Sequence, residues 1–369
     1  GTNDHGNGAG HGTLMAGVAG YGQMEQVLSS ANTVPLTHKL CSVKILPRQG
    51  NNPRELWGDI TSQGISIAEI QNPSMVLVYC MAVTSQEDTD RGRPSSWSGA
   101  VDNLAYGEGE SQRLIIVSAG NVADEESWRD YPNSNFTTSV QNPAQAWNAL
   151  VAGAYTNKIQ VTDPNYEDHA PVANEGQLSP YSTTSLVWER KWAIKPDVVF
   201  EGGNLLRAPD SSITGHEDLE LLSTSRQFNT GRHFDTTWAT SAAAAQAAWF
   251  AAKIAYEYPD AWAETVRGLV VHSANWNAAM RAQLNVQQGN RTSFRNLLRT
   301  FGFGVPDLDR ALYSQESALT YISQETIQPF KFKEGGSTAE TNEIHFFNLP
   351  WASDLLLQMG ETPVKLKVT

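Results

Sequence analysis

Cysteine is nearly missing from this chain of 369 residues: Cys41 and Cys80 are the only two, which excludes a disulfide framework as its source of stability. Long hydrophobic runs are missing too. No apolar stretch approaches the ~18 to 20 residues that a membrane-spanning helix requires, so no membrane partner is expected. Basic residues are scarce, with 26 Lys and Arg against 39 Asp and Glu, and no run gathers them. A formal charge of −13 argues against a surface that neutralises phosphates, and nucleic acid is not an expected partner. No acidic loop has the pattern of a hard-cation site and no motif points to a cofactor, so neither metal nor cofactor is expected. What is present is a 40% hydrophobic composition and enough length for one large α/β domain with a smaller attachment.

Short apolar runs alternate with helical spacing along the first three hundred residues. LCSVKIL (40–46), SMVLVYCMAV (from Ser74) and RLIIVSAGN (ending at Asn121) read as buried strands, while WGDITSQGISIAEIQ and WSGAVDNLAYG have the period of helices. Strand, helix, strand, helix, strand predicts a doubly wound α/β domain with a mainly parallel sheet flanked by helices. Residues 84–96 are polar and rich in turn formers, and predict a surface loop. Beyond about residue 315 the stretches TIQPFKFKEG, NEIHFFNLPW and PVKLKVT alternate like strands, so the expected division is 1–314 for the α/β domain and 315–369 for the start of a β-rich C-terminal domain. Asn135 in NFT and Asn290 in NRT fit the glycosylation tripeptide, a pattern common by chance.

Two stretches invite a chemical reading. DHGNGAGHGTLMAG (4–17) sets His5 and His11 among glycines and runs into an apolar segment; by itself it describes a loop leading into a helix. TTWATSAAAAQAAWF puts Thr240 and Ser241 in the first turn of an Ala-rich helix, where unpaired N–H groups and the dipole favour negative charge on a substrate oxygen. An N-cap role for either residue is the plainer explanation of that stretch taken alone.

Together, His11 in GHGTLMAG, Asn121 in IIVSAGN and Ser241 in ATSAAAA occur in the order and rough spacing of the subtilisin-like serine peptidases, the subtilases, and the chain strongly resembles that family. VKIL (43–46), AWNALVAGAYT (146–156), SPYSTTS (179–185), IKPDVVFEGGNL (194–205) and FGFGVPDLDRAL (301–312) resemble further family segments, so the likeness covers about 310 residues. The resemblance implies a subtilisin-like fold and a serine endopeptidase. Ser241 would attack the scissile carbonyl, His11 would act as general base with Gly10 and Gly12 bending the backbone around it, and Asn121 with the Ser241 N–H would hold the oxyanion. His5 has no such counterpart.

The departures from the family pattern carry as much. The family's chain order is Asp, His, Ser, yet only ten residues precede His11. Asp4 lies on the same loop as the histidine, Asp102 reads as helix surface, and Asp197 would need another order. The expectation is that the first strand and its aspartate lie upstream of Gly1 and that the chain is cut at both ends. Leu14, Ala239 and Ala245 stand where the family often has His, Gly and Pro, and none removes a catalytic atom. Met81, Ala82 and Val83 are candidates for substrate contact by strand addition, with Ser118, Ala119 and Gly120 as the other wall of the pocket for the residue before the cut. The alternative is a subtilase-fold binding or scaffold protein that no longer cuts. A nucleotide-binding role for GNGAGHG fails because no strand precedes it. The resemblance of GHGTLMAGVAGYG to large bacterial subtilases without export signals, with only two cysteines, leads to the expectation of a bacterial cytoplasmic protein, secretion being the alternative. Its expected partners are a polypeptide substrate and, from the same resemblance, an ATPase.

Overall fold

The computed structural model describes residues 10–313, 320–363 and 365–369. The chain divides into two compact units, the first ending at Leu312 and the second beginning at Tyr313.

Three parallel ladders organise the first unit. Strand β1 (Val78–Met81) pairs with β2 (Leu114–Ser118) in the register Val78 to Leu114, β2 pairs with β3 (Leu150–Thr156) from Ile116 and Leu150, and β3 pairs with β4 (Val198–Glu201) from Ala152 and Val198. A two-residue segment, Gln177–Leu178, adds an antiparallel pair at the end of β3. Parallel neighbours require crossovers, and α3 (Ser96–Tyr106) supplies the one between β1 and β2. Its start is fixed by Ser95 and Ser98, each of whose side chains takes the other's backbone N–H.

Both faces of the sheet are covered, which is why these strands read as continuous apolar runs. Successive side chains point to opposite faces. Leu114, Ile116, Ala152 and Phe200 pack under α4 (Ala239–Glu257) and α5 (Ala263–Ser273), while Ile115, Val117 and Val151 meet Val101 of α3 and Ile65 of α2 (Trp57–Gln71). Fully burying each such side chain contributes about 1.5–3 kcal/mol before entropy is counted. The doubly wound architecture expected from the sequence is present.

Several local expectations are corrected. Among the described residues no ladder joins LCSVKIL to a neighbouring strand, while Val43 and Ile45 do turn inward, onto Gly64 of α2. Asn135 is fully buried and its amide donates to the carbonyls of Ser179, Pro180 and Ser182, so it is no glycosylation acceptor. Asn290 caps the helix Arg291–Phe301.

In the second unit, Phe330–Phe332 and Ala339–Thr341 form a hairpin. Among the described residues of this unit no further ladder is present, and Ser353–Met359 is a helix. Ile344 and Phe346 are 73% and 86% exposed. Among the described residues no helix is long and apolar enough to cross a membrane.

Candidate active site

The C-terminal ends of β1 and β2 converge on the N-terminus of α4. After Ser118, Ala119 continues the sheet by donating to Ala152 O (2.9 Å), and Gly120, at φ +95°, turns the chain out of the ladder. Asn121 therefore leaves the sheet at its edge. Its Oδ1 accepts from the Thr240 N–H (3.1 Å) and from the Thr240 hydroxyl (2.7 Å). A backbone N–H can only donate, so the atom facing it is the oxygen and the NH2 end of Asn121 faces the other way. Thr240 is itself fully buried, and its hydroxyl also accepts from Gly120 N (3.1 Å).

Ser241 follows in the first turn of α4. That helix grows from an antiparallel pair, β5 (Leu221–Thr224) and β6 (Phe234–Thr237), through an extended Trp238 whose side chain makes no cap. Ala239, where the resembled family usually has Gly, takes φ +69° and donates to Gly202 O (2.7 Å). The left-handed backbone costs an alanine about 1–2 kcal/mol and explains the preference for glycine there. First-turn N–H groups have no partner within their own helix, so the Ser241 N–H is a donor of the kind an oxyanion needs. The Ser241 hydroxyl lies 3.5 Å from Ala82 O, and the residue is 9% exposed.

His11 opens α1 (His11–Tyr21). Gly10, at φ +95°, makes the turn into it, and a side chain there would also press on Arg226. Gly12 plays no part in that turn, since its φ is ordinary and a Cβ on it would meet nothing within 4 Å. The glycine that matters beside Gly10 is Gly17. A Cβ there would lie 2.3 Å from Ser223 Oγ and 2.7 Å from Thr224 N, so α1 rests directly on β5. The Ser223 hydroxyl donates to Leu14 O and the Thr224 hydroxyl to Thr13 O (2.8 Å). The opposite side of α1, through Met15 and Val18, packs with Ala245 of α4. His11 stands one helical turn before Met15, and Ser241 one turn before Ala245.

Among the remaining candidates, Ala82 and Val83 are half-buried just beyond β1, whereas the Met81 side chain is buried in the core, which leaves only its backbone for a substrate. Ser118, Ala119 and Gly120 are buried. Asp4 and His5 lie outside the described residues. Asp102 accepts from Asn148 N (2.6 Å). Asp197 accepts from Val151 N (2.7 Å) and pairs with the fully buried ammonium of Lys195 (2.7 Å), so both carboxylates are committed elsewhere. Among the described residues no cluster of His, Cys, Asp or Glu could hold a metal ion.

Two further residues, inconspicuous in the sequence, belong here. Thr240 is the second residue of α4, past the N-cap position of Trp238, and its hydroxyl anchors Asn121. Gln141 has no sequence signal at all, since nothing in SVQNPAQ distinguishes it from a loop glutamine.

Ser241 thus stands in the first turn of α4, one residue after the Thr240 that ties back the Asn121 amide oxygen. The chain belongs to the subtilase family, peptidase S8, which it matches over residues 1–304. The uncharacterised protein y4bN of Sinorhizobium fredii (strain NBRC 101917 / NGR234) is 26% identical over 254 residues, 64% of this chain and 56% of that protein, so the match spans little more than half of that relative. Among solved structures the chain is similar to a lanthipeptide protease (17% identity, TM-score 0.46, 82% of this chain and 74% of that one). It is also similar to the S41 psychrophilic protease (23% identity, TM-score 0.47, covering 74% and 71%) and to the MycP3 protease of the type VII (ESX-3) secretion system (19%, 0.43, covering 82% and 73%).

Proposed function

We propose that the protein is a serine endopeptidase that cuts polypeptides through an acyl-enzyme. The Ser241 oxygen attacks the scissile carbonyl carbon while His11 takes its proton. The carbonyl oxygen, now an anion, is held by the Asn121 NH2 and the Ser241 N–H. When the tetrahedral carbon collapses, the C–N bond breaks and His11 returns the proton to the leaving amine. Water then repeats the sequence on the ester and restores Ser241. Asp102 and Asp197 are committed elsewhere and do not supply the acid that orients His11. The substrate backbone is assigned to the Ala82–Val83 segment.

The observation that carries this reading is the locked amide of Asn121, held by Thr240 immediately before Ser241. A scaffold has no use for an outward-facing donor beside a first-turn serine. The test is covalent labelling of the full-length protein with a fluorophosphonate. Labelling should map to Ser241 by peptide mass, vanish in Ser241→Ala, and be lost in His11→Ala at an unchanged melting temperature. A folded full-length protein that neither labels nor cuts an unfolded protein would instead establish the binding-scaffold reading.

A further inference from the structure

The wall residues of the site are bridged by a side chain that the chemistry does not use. The Gln141 side chain lies flat on Gly120: a Cβ on that glycine would sit 2.4 Å from Gln141 Cγ, Cδ and Oε1. Its Oε1 accepts from the Thr84 hydroxyl (2.7 Å), on the segment that follows β1. Its Nε2 donates to Asn121 O (3.1 Å), on the segment that follows β2. Its backbone N–H donates to Ala119 O (2.8 Å). The neighbouring backbone is pinned as well, since Asn142 and Ser85 exchange both N–H to O bonds, at 2.9 and 2.8 Å. Gln141 is 6% exposed and has no slack in which to swing aside.

We infer that Gln141 is a specificity-determining residue, which closes the pocket for the substrate residue before the scissile bond and restricts that residue to glycine, alanine or serine. The inference rests on the serine-peptidase reading above. If Asn121 holds the reacting carbonyl oxygen, the α-carbon bearing that carbonyl stands beside Gly120 and Asn121. The side chain on that α-carbon points between the two walls, into the space the Gln141 amide occupies. A leucine or phenylalanine there must evict the amide, which strands the Thr84 hydroxyl and Asn121 O without their partners. A glycine, alanine or serine need not.

The test uses the full-length chain and starts by labelling Ser241 with the fluorophosphonate, because absent labelling overturns the peptidase reading and this inference with it. Peptide aldehydes identical except for a terminal Ala, Ser, Leu or Phe then compete for the labelled site. Those ending in Ala or Ser should compete at least about tenfold better, the order of discrimination that a filled pocket supplies. Better competition by Leu or Phe on a protein that labels normally overturns the inference alone. Cleavage of matched fluorogenic peptides by Gln141→Gly and Gln141→Ala adds a second readout. The kcat/KM ratio of Ala over Phe substrates should fall at least about tenfold in a folded variant, and an unchanged ratio counts against the pocket closure.

Discussion

The Thr240 hydroxyl connects the oxyanion donor to the scaffold, and Thr240→Val removes it while preserving shape. In the native protein that hydroxyl is fully buried, donates to Asn121 Oδ1 (2.7 Å) and accepts from Gly120 N (3.1 Å). Valine leaves the Gly120 N–H buried without a partner, which costs about 1–3 kcal/mol. For a unit of this size each kcal/mol lowers the melting temperature by about 2–4 °C, so a drop of roughly 2–12 °C is expected. Losing an oxyanion donor outright costs about 10²- to 10³-fold in rate. Valine keeps the backbone anchor, Thr240 N to Asn121 Oδ1 (3.1 Å), so the amide loosens without being lost. The expected fall in the fluorophosphonate labelling rate is therefore intermediate, about tenfold, with Asn121→Leu approaching the full loss. Thr240→Ser keeps the hydroxyl and should restore most of the labelling rate. Differential scanning fluorimetry and labelling kinetics on the three variants decide the matter. A Thr240→Val protein that melts lower yet labels at the wild-type rate would refute the claim that this hydroxyl aims Asn121.

Gly17→Ala forces a methyl against Ser223, Thr224 and the Thr224 backbone, so α1 must lift from β5. A stability loss of about 1–3 kcal/mol is expected from overpacking, and a displaced His11 should slow labelling by up to about 10²-fold. Wild-type labelling in a variant with a clearly lowered melting temperature would show that this seat does not position the histidine. Glu220 tests a buried carboxylate: burial raises its pKa, the Thr236 hydroxyl donates to it and lowers it, Asp235 and Glu217 raise it and His216 lowers it. A carboxylate whose folded pKa lies above its ordinary 4.5 contributes most stability below that value and loses it as pH rises through the folded pKa. Glu220→Gln should consequently improve the melting temperature relative to wild type more at pH 8 than at pH 4, and the reverse order would contradict the sign.

The sequence by itself determined the parts of this protein that depend on local pattern. The runs behind β1, β2 and β3 are apolar because both faces of their sheet are covered, and α2 and α3 follow the helical period, so their residues announced the layers. His11, Asn121 and Ser241 stood out through the resemblance of their motifs to the subtilases, and they fall at a helix start, a strand exit and a first helical turn. Tertiary structure decided what depends on partners distant in the chain. Gly12 and Gly17 look alike in the sequence; only the arrival of Ser223 and Thr224 makes the second one indispensable. The outward face of the Asn121 amide is set by Thr240, 119 residues further on, and the closing of the pocket by Gln141 with Thr84, 57 residues apart. A side-chain amide carries no local preference for one end over the other, so its direction exists only once the fold has supplied the donor it must face.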